Sequence, residues 1–450
     1  MKASLKAAIV FISVMGVRLP AFAEQSLDLK QGAVEVRTPS GVALSGIALY
    51  VKVHERAIAG AFQPSQTQQG SDNAGSYTLR SYRFVPRVSP DGSEAAPGSG
   101  QGPAFTATLE LRHYTSPEVV VATLVYEGPP LAAKDGLQVS MQMEGFARGL
   151  VLHRLKWWWL APTFVSDPRL LAGDNVLLLW RRMQGSEYHL LAPLAGGGMV
   201  GALRVADFDQ VRLAFSSDVA DFTPQRIPLF VYASGTDSYR LAPKGYTAAF
   251  AANHYYGRQR REKPYPEIFL NLGWRSWNAY GQQLTEAKLL RSASTPEFTR
   301  GLLPVFDSSV GEQRNLQEAA REHFPAHDAR SAEIGANVIN RMEMALEDAF
   351  DWCYSNVARN SDDYFPDDPA DIKNHTFQNA YNSYWTSNFA YPDWDEFETG
   401  RSDAEYQAIG RAVSGGPVYF TGAPETVRPE VLRPLILSDG RLLRLDAPSM

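Results

Sequence analysis

The sequence predicts a multidomain β and α/β protein: an N-terminal antiparallel β-sandwich followed by an incomplete (β/α)8, TIM-type barrel. Hydrophobic and polar residues alternate up to about Lys263, and strand-like segments then alternate with helix-like ones. Candidate functional residues follow the strand-like segments, as they do in barrels. The 154 residues from Glu267 to Phe420 are fewer than the about 250 of a complete barrel, so we expect roughly two βα units to be missing.

The first 23 residues have the pattern of an export signal. Lys2 and Lys6 make a short basic region, residues 7–17 are apolar, and Ala21-Phe-Ala23 is typical of a cleavage site. The apolar stretch of about 11 residues is shorter than the ~20 that a membrane-spanning helix needs. We therefore expect an exported protein, periplasmic or secreted, with no membrane span after removal of the signal.

Residues 24–265 are predicted to form the N-terminal β-sandwich domain. In Phe105–Arg112 every second residue is apolar, which is the pattern of a strand with one buried face. Three further segments, Val119–Tyr126, Val176–Trp180 and Ile227–Tyr232, also indicate strands, and Gly, Pro, Ser and Asp are frequent between them. Many short strands separated by turns predict an antiparallel sandwich.

Residues 266–425 are predicted to form the shortened barrel, and residues 426–450 a C-terminal tail. A buried strand is expected over Glu267–Gly273 and a helix from Thr285. Ser402-Asp-Ala-Glu405 has the pattern of a capping box, which begins a helix. Further short strands are predicted at Ala336–Asn340, Asn356–Ala358 and Pro417–Phe420.

Composition excludes several classes of protein. The net charge of −6 and isoelectric point near 5.8 give no cationic surplus for nucleic-acid binding. His323 and His327 have helical ligand spacing, but Pro325 between them disrupts the helix that would align them. Together with the single cysteine, Cys353, this predicts no metal site and no intrachain disulfide. We expect no cofactor.

Two segments combine carboxylates with aromatic residues: Asn356–Pro366 and Tyr391–Phe397. Cleavage of a glycosidic bond needs two carboxyl groups, and aromatic faces stack on sugar rings. The combination indicates an oligosaccharide substrate. A solvated acidic turn remains the alternative for Asp367-Asp-Pro-Ala-Asp371.

Three segments, in this order, resemble the raffinose synthase and seed imbibition protein family, relatives of the alkaline α-galactosidases. Leu272-Gly-Trp-Arg-Ser-Trp-Asn-Ala-Tyr280 is similar to the family's Gly-Trp-Cys-Thr-Trp-Asp-Ala-Phe-Tyr. Ala358-Arg-Asn-Ser-Asp-Asp-Tyr-Phe-Pro366 is similar to Arg-Ala-Ser-Asp/Glu-Asp-Phe-x-Pro, and Pro392-Asp-Trp-Asp-Glu-Phe397 to Pro-Asp-Trp-Asp-Met-Phe.

The resemblance implies a retaining α-galactoside hydrolase or galactosyltransferase that works by double displacement. It implies that Asp363 is the acid/base, with Asp362 as the open alternative. The family's nucleophile follows Lys-Val, and its counterpart here is Asp307 after Val305-Phe306. Because the Lys is missing, an ordinary turn Asp stays open for Asp307.

The same motifs supply candidate substrate-binding residues. The tryptophans would stack on sugar rings or, alternatively, pack at the mouth of the barrel. Asp393 and Asp395 would accept hydrogen bonds from sugar hydroxyls. The full set of substrate-binding candidates is Trp274, Trp277, Asn278, Arg359, Asp393, Trp394 and Asp395.

Two hypotheses of function follow. In the first, the chain is an exported enzyme that acts on α-galactosides such as raffinose oligosaccharides. In the second, the shortened barrel has left a non-catalytic sugar-binding pseudoenzyme; Arg275 in place of Cys and Asn278 in place of Asp also depart from the family motif. Hydrolysis and galactosyl transfer both stay open, because the outcome depends on whether water or a sugar reaches the intermediate. The sequence does not indicate the oligomeric state.

Overall fold

The structure is a computed structural model. It describes residues 25–53, 56–86, 105–115, 118–156, 159–206, 210–219, 223–293, 339–340 and 344–445. The predicted signal peptide, residues 1–23, and the candidate nucleophile Asp307 lie outside the described residues.

Sixteen strands of the N-terminal part form one hydrogen-bonded sheet, and every pairing in it is antiparallel. The strands are β1 (Ser26–Lys30), β2 (Ala33–Thr38), β3 (Gly41–Val53), β4 (Arg56–Asp72), β5 (Gly75–Pro86), β6 (Thr106–Thr115), β7 (Glu118–Glu127), β8 (Leu137–Met143), β9 (Phe146–Lys156), β10 (Trp159–Val165), β11 (Asn175–Arg182), β12 (Tyr188–Pro193), β13 (Ala195–Gly196), β14 (Met199–Val205), β15 (Gln210–Ser216) and β16 (Arg226–Gly235).

This sheet closes on itself. The order runs β11-β12-β16-β7-β6-β5-β4-β3-β8-β15-β14, and Asn175 of β11 pairs with Leu203 of β14, so eleven strands form a ring. The antiparallel strands were predicted, but the strands that the structure describes form one closed sheet instead of the two separate sheets of a sandwich. Alternation along a strand specifies which face is buried, whereas closure depends on contacts between residues far apart in sequence.

The predicted alternation is confirmed inside the ring. Along β6 the apolar residues Ala107, Leu109 and Leu111 are buried, and Thr106 on the opposite face is exposed. These side chains belong to a core that is drawn from nearly every strand of the ring. Burial of apolar surface, at about 25 cal/mol per Å², is the main contribution to its stability.

A second core joins the sheet to the rest of the chain. Helix α1 (Leu241–Asn253) packs on β7 and β16, and its Tyr246 ring lies 4.8 Å from the Phe389 ring. Trp385 and Ala358 are buried in the same cluster as Val231 of β16. The two parts of the chain therefore share one hydrophobic interface.

The remaining described strands are parallel. Strand β17 (Gly273–Arg275) pairs with β21 (Tyr419–Thr421), and β19 (Val357–Arg359) lies between β18 (Ile339–Asn340) and β20 (Tyr391–Asp393). Parallel strands connected by helices agree with the α/β prediction. The α-helices of this part are α2 (Trp277–Tyr280), α3 (Glu286–Ala293), α4 (Leu346–Ala349), α5 (Asp371–Thr386), α6 (Ala404–Val413) and α7 (Pro429–Leu432).

Two local predictions in this part were wrong. Glu267–Leu270, expected as a buried strand, is a 3-10 helix, and only Gly273–Arg275 is extended. Pro266 at the N-cap presets a helical turn there. The predicted capping box at residues 402–405 is also absent: helix α6 begins after Asp403, and no side chain caps it.

The described part of the predicted C-terminal tail packs against the parallel strands. Val431, Leu432 and Leu435 are buried in a third core that also contains Trp274 and Phe420. The Leu442 amide donates to the Leu270 carbonyl at 2.8 Å. Residues up to Leu442 thus contribute to the packing around β17 and β21.

Candidate functional site

The candidate site lies at the carboxyl ends of the parallel strands. Arg275 ends β17, Arg359 ends β19, and Asp393 ends β20. Tyr419 of β21 points its hydroxyl to the same place, 2.9 Å from Asp393 Oδ2. In α/β folds the carboxyl ends of parallel strands are where ligands and catalytic residues lie.

Arg359 is the centre of the charged network, and its side chain is only 1% exposed. Its Nη1 lies 3.0 Å from Asp363 Oδ1, its Nε 3.3 Å from Asp393 Oδ2, and its Nη2 2.6 Å from Asp395 Oδ1. Burial alone would lower the pKa of this guanidinium, but the neighbouring carboxylates, Asp395 first, raise it overall. Arg359 therefore carries a permanent positive charge that holds three carboxylates together.

Asp393 and Asp395 are buried, and their oxygens are used inside the protein. Asp393 accepts hydrogen bonds from the Tyr419 hydroxyl and, at 3.0 Å, from the Asp395 amide. Asp395 Oδ2 accepts from the Tyr364 amide at 2.9 Å. The expectation that these two residues accept sugar hydroxyls does not match this arrangement, since a buried, ion-paired carboxylate has no free face for a ligand.

Asp395 also has an unusual backbone. Its φ is +61°, in the left-handed region that residues other than glycine seldom adopt. The main-chain oxygens that follow are held by Arg411, whose Nε donates to the Asp395 carbonyl and whose Nη2 donates to the Glu396 carbonyl. In this conformation the Asp395 carboxylate contacts the loop that carries Asp363, through the Tyr364 amide.

Arg275 and Glu396 form a second ion pair beside the first. Arg275 Nη1 lies 2.8 Å from Glu396 Oε2 and 3.5 Å from Asp395 Oδ1. Both side chains are almost fully covered, at 12% and 4% exposed. Burial would lower the pKa of Arg275, but the Glu396 carboxylate raises it overall. Together the two pairs make one continuous network across β17, β19 and β20.

The two adjacent candidates for the acid/base have different surroundings. The Asp363 side chain is 42% exposed and faces Arg359 on one side. Asp362 is partly buried; its Oδ2 accepts from Gln378 Nε2 at 3.3 Å, and its buried Oδ1 has no partner among the described residues. Burial raises the pKa of Asp362 despite the Gln378 hydrogen bond.

The loop with both aspartates is anchored to helix α5. Asn360 Nδ2 donates to the Asn379 carbonyl at 2.6 Å, and Ser361 Oγ lies 3.0 Å from His375 Nε2. Burial first, and then the charge of Arg411, lower the pKa of His375 to about 3, so its imidazole is neutral. These buried contacts make the loop a rigid support, as a positioned catalytic group requires.

The predicted aromatic residues divide into packed and exposed ones. Trp274 is 1% exposed and donates from Nε1 to the Gly422 carbonyl at 3.1 Å, while Trp394 is 3% exposed and donates to Ser383 Oγ. Neither ring has a free face, so packing, the alternative given for these residues, is what the structure displays. Trp277 is 41% exposed.

Asn278 lies beside this network rather than inside it. Its amide nitrogen Nδ2 donates to Glu398 Oε1 at 3.0 Å, and its backbone amide donates to Thr421 Oγ1 at 3.2 Å. Thr421 in turn donates to the Arg275 carbonyl. The structure thus places both Asn278 and Trp277, at the start of α2, next to the strand ends.

Three residues of the network were missed from the sequence: Glu396, Tyr364 and Tyr419. Tyr364 and Glu396 lie within recognised motifs and Tyr419 lies in a predicted strand, but a sequence does not reveal which side chains face each other. Arg275 was noted only as a departure from the family motif. The signal available in the sequence was a positive charge at Arg275 that could pair with the acidic segment 393–396.

Within the part of the chain that the structure describes, no group of three or more His, Cys, Asp or Glu side chains could hold a metal ion. Among the same residues, no helix is both long and apolar enough to span a membrane. Cys353, the single cysteine of the sequence, is buried.

Comparison with known sequences identifies relatives of the carboxyl-terminal part. Residues 314–450 match the family described as raffinose synthase or seed imbibition protein Sip1. Probable galactinol-sucrose galactosyltransferase 6 of Arabidopsis thaliana is 45% identical over 92 residues, 20% of this chain and 12% of that protein. Galactinol-sucrose galactosyltransferase of Pisum sativum is 38% identical over 96 residues, again 20% and 12%. The matched segment thus spans about one eighth of these relatives.

Comparison with solved structures finds α-galactosidases at low similarity. The galactosidase domain of an α-galactosidase-sucrose kinase has a TM-score of 0.49 and 9% identity, with 90% of this chain and 76% of that chain covered. The GH36 α-galactosidase AgaB of Geobacillus stearothermophilus has a TM-score of 0.36 and 11% identity, with 84% and 54% covered.

Proposed function

We propose that this chain, a member of the raffinose synthase and seed imbibition protein family through its residues 314–450, acts on α-galactosides by retaining double displacement. The observation that carries the proposal is the ion pair between Arg359 and the accessible Asp363 at the carboxyl end of β19. The curated relatives are galactinol-sucrose galactosyltransferases, so the proposed substrates are raffinose-type oligosaccharides, with water or a sugar as acceptor.

In the proposed reaction the protonated form of Asp363 gives its proton to the leaving oxygen, and the resulting carboxylate, which is the form paired with Arg359, then takes a proton from the acceptor. Its 42% exposure lets a substrate reach it, and Arg359 fixes one of its oxygens. Asp362 is the alternative acid, because burial raises its pKa. Asp307 is the proposed nucleophile and would form the covalent galactosyl intermediate. Retaining enzymes hold the two carboxyl groups roughly 5–5.5 Å apart.

We assign substrate contact to the exposed residues and support to the buried ones. Trp277, 41% exposed, would stack on a sugar ring, and Asn278 beside it would contact hydroxyl groups. Asp393 and Asp395 would act through Arg359 rather than touch the sugar. Because double displacement needs only two carboxyl groups, the proposal includes no cofactor.

The proposed architecture is a shortened (β/α) barrel at residues 266–425, behind an N-terminal β domain at 24–265. The pairing of β17 with β21, the first and last described strands of this part, supports it, because the ends of a closed barrel meet in that way. Export of the mature chain to the periplasm or outside the cell is part of the same proposal and rests on residues 1–23. No observation on the described residues favours the pseudoenzyme alternative.

The test is turnover by the purified mature chain with two substrates. Release of p-nitrophenol from p-nitrophenyl α-D-galactoside reports hydrolysis, and formation of a trisaccharide from galactinol and sucrose reports transfer. Asp363→Ala and Asp307→Asn should abolish both reactions. Asp367→Asn is the matched control, since that side chain is 89% exposed in the same loop. A folded, sugar-binding chain without turnover on either substrate would refute the enzyme proposal.

A further inference from the structure

Two departures from the family motifs are in contact. Arg275 stands where the first motif has Cys, and Glu396 stands where the third motif has Met. In the structure Arg275 Nη1 lies 2.8 Å from Glu396 Oε2. At both positions this chain has a charged residue where the motif has an uncharged one. The cation and the anion are far apart in sequence, yet they form one ion pair.

Both charged side chains of this ion pair are buried, so the loss of either one should affect the stability of the fold. The two side chains are 12% and 4% exposed, so each charge has lost most of its water. A buried charge whose partner is removed is strongly unfavourable, whereas an apolar pair of similar size is tolerated at the same place. The two side chains are thus expected to be energetically coupled, because removal of either charge leaves the other buried without this partner.

The pair is connected to the loop of the acid/base. Arg275 Nη1 lies 3.5 Å from Asp395 Oδ1, and Asp395 Oδ2 accepts the Tyr364 amide at 2.9 Å. Tyr364 directly follows Asp363. Arg359 contacts the side chain of Asp363, and Asp395 accepts a hydrogen bond from the peptide N–H that follows Asp363.

We propose that Arg275 and Glu396 are a matched pair of positioning residues, which hold Asp395 in place and, through the Tyr364 amide, orient Asp363. Neither residue touches the substrate. The effect on catalysis rests on the proposed function, whereas the coupling of the two side chains does not.

The coupling is tested by a double-mutant cycle on the full chain in reductant, with Arg275→Cys, Glu396→Met and both together. Urea unfolding gives the midpoint and slope of each variant. Each single variant should lower the midpoint, and the double variant should regain most of the loss. The exposed pair Arg428 and Glu430, 41% and 61% exposed, is the control, and its cycle should be close to additive. Additive losses at Arg275 and Glu396 would overturn the pairing.

The positioning role is tested by steady-state kinetics well below the unfolding temperature of each variant. Misplacement of Asp363 should lower kcat about 10–100-fold in the single variants, with KM nearly unchanged, and the double variant should recover most of kcat. Arg275→Lys, which keeps the charge, should lose less than Arg275→Cys. Full kcat in a folded single variant would overturn the positioning role.

The two proposals fail in different ways. Absence of turnover in the unsubstituted chain would count against the proposed function, and the stability cycle would then decide the pairing by itself. Normal turnover together with an additive cycle would overturn the pairing and leave the proposed function intact.

Discussion

Arg359 Nη1 lies 3.0 Å from Asp363 Oδ1, and this ion pair joins a buried cation to an accessible carboxylate four residues later. The rest of the same guanidinium contacts Asp393 and Asp395, both inside the protein. Three carboxylates thus form ion pairs with one arginine side chain that is almost fully buried. The site consequently depends on Arg359 for its stability as well as for the orientation of Asp363.

Arg359→Met should destabilise the fold by about 3–5 kcal/mol, because it leaves the buried Asp393 and Asp395 carboxylates without this cation. Urea unfolding of the purified chain measures the loss. Arg428→Met, at an exposed position, should change the free energy of unfolding by less than about 0.5 kcal/mol. Equal effects at the two positions would contradict the central place given to Arg359.

Trp274 and Trp277 should respond differently to alanine. Trp274 is buried in the third core, so Trp274→Ala should cost about 3–5 kcal/mol of stability. Trp277 is 41% exposed, so Trp277→Ala should leave stability nearly unchanged and weaken galactoside binding by about 0.5–1.5 kcal/mol. Thermal unfolding and isothermal titration with raffinose separate the two effects. Unchanged affinity in Trp277→Ala would remove it from the binding site.

Sodium azide distinguishes the two acid/base candidates. If Asp363 is the acid/base, Asp363→Ala traps the galactosyl intermediate of an activated substrate, and the small azide anion should release it as α-galactosyl azide. Asp362→Ala should then keep measurable turnover and show no azide effect. The products are identified by NMR. Rescue of Asp362→Ala and not of Asp363→Ala would transfer the role to Asp362.

His375 should make the fold sensitive to acid. Burial and Arg411 lower its pKa to about 3, whereas an unfolded histidine has a pKa near 6.5. The folded-state pKa is the lower one, so the contribution is complete above about pH 6.5 and is lost as the pH falls toward 3. Between pH 7 and 4.5 the parent should therefore lose about 2 kcal/mol more than His375→Gln. His254→Asn, at an exposed position, should follow the parent in urea unfolding at both pH values.

Asp371 should have the opposite pH dependence. Burial raises its pKa to about 6, although its Oδ2 accepts the Phe365 amide at 2.8 Å. The folded-state pKa is above the unfolded value near 3.9, so folding becomes less favourable as the pH rises between these two values. Asp371→Asn keeps an acceptor and should gain roughly 1–2 kcal/mol over the parent at pH 7. Unfolding midpoints at pH 4 and 7 measure the difference, and a loss at pH 7 would contradict it.

Much of the framework followed from local patterns. The strands around Phe105–Arg112, Val119–Tyr126, Val176–Trp180 and Ile227–Tyr232 were all found. The first alternates between apolar and polar residues, and the other three are short apolar runs between turn residues, which is the pattern of strands buried on both faces. Glu267–Leu270 was missed, because a short apolar segment is compatible with a strand and a helical turn alike.

The site followed from sequence only in part. The motifs supplied Arg359, Asp363, Asp393 and Asp395 as site candidates, and the structure brings these four side chains together. The motifs did not reveal that Arg359 forms ion pairs with Asp393 and Asp395. Burial of Trp274 and Trp394 was equally invisible, because a tryptophan in a motif has the same letter whether it stacks on a sugar or packs in a core.

The sequence by itself determined the antiparallel N-terminal strands, the parallel strands that follow and the match of residues 314–450 to the raffinose synthase or seed imbibition protein family, since each depends on neighbouring residues or on a continuous motif. Only the tertiary structure decided that the sheet closes between Asn175 and Leu203, and that Arg275 meets Glu396. The physical reason is the separation along the sequence over which each interaction acts. Hydrophobic periodicity acts over a few residues, whereas strand closure and buried ion pairs depend on distances between atoms that the chain brings together only when it folds.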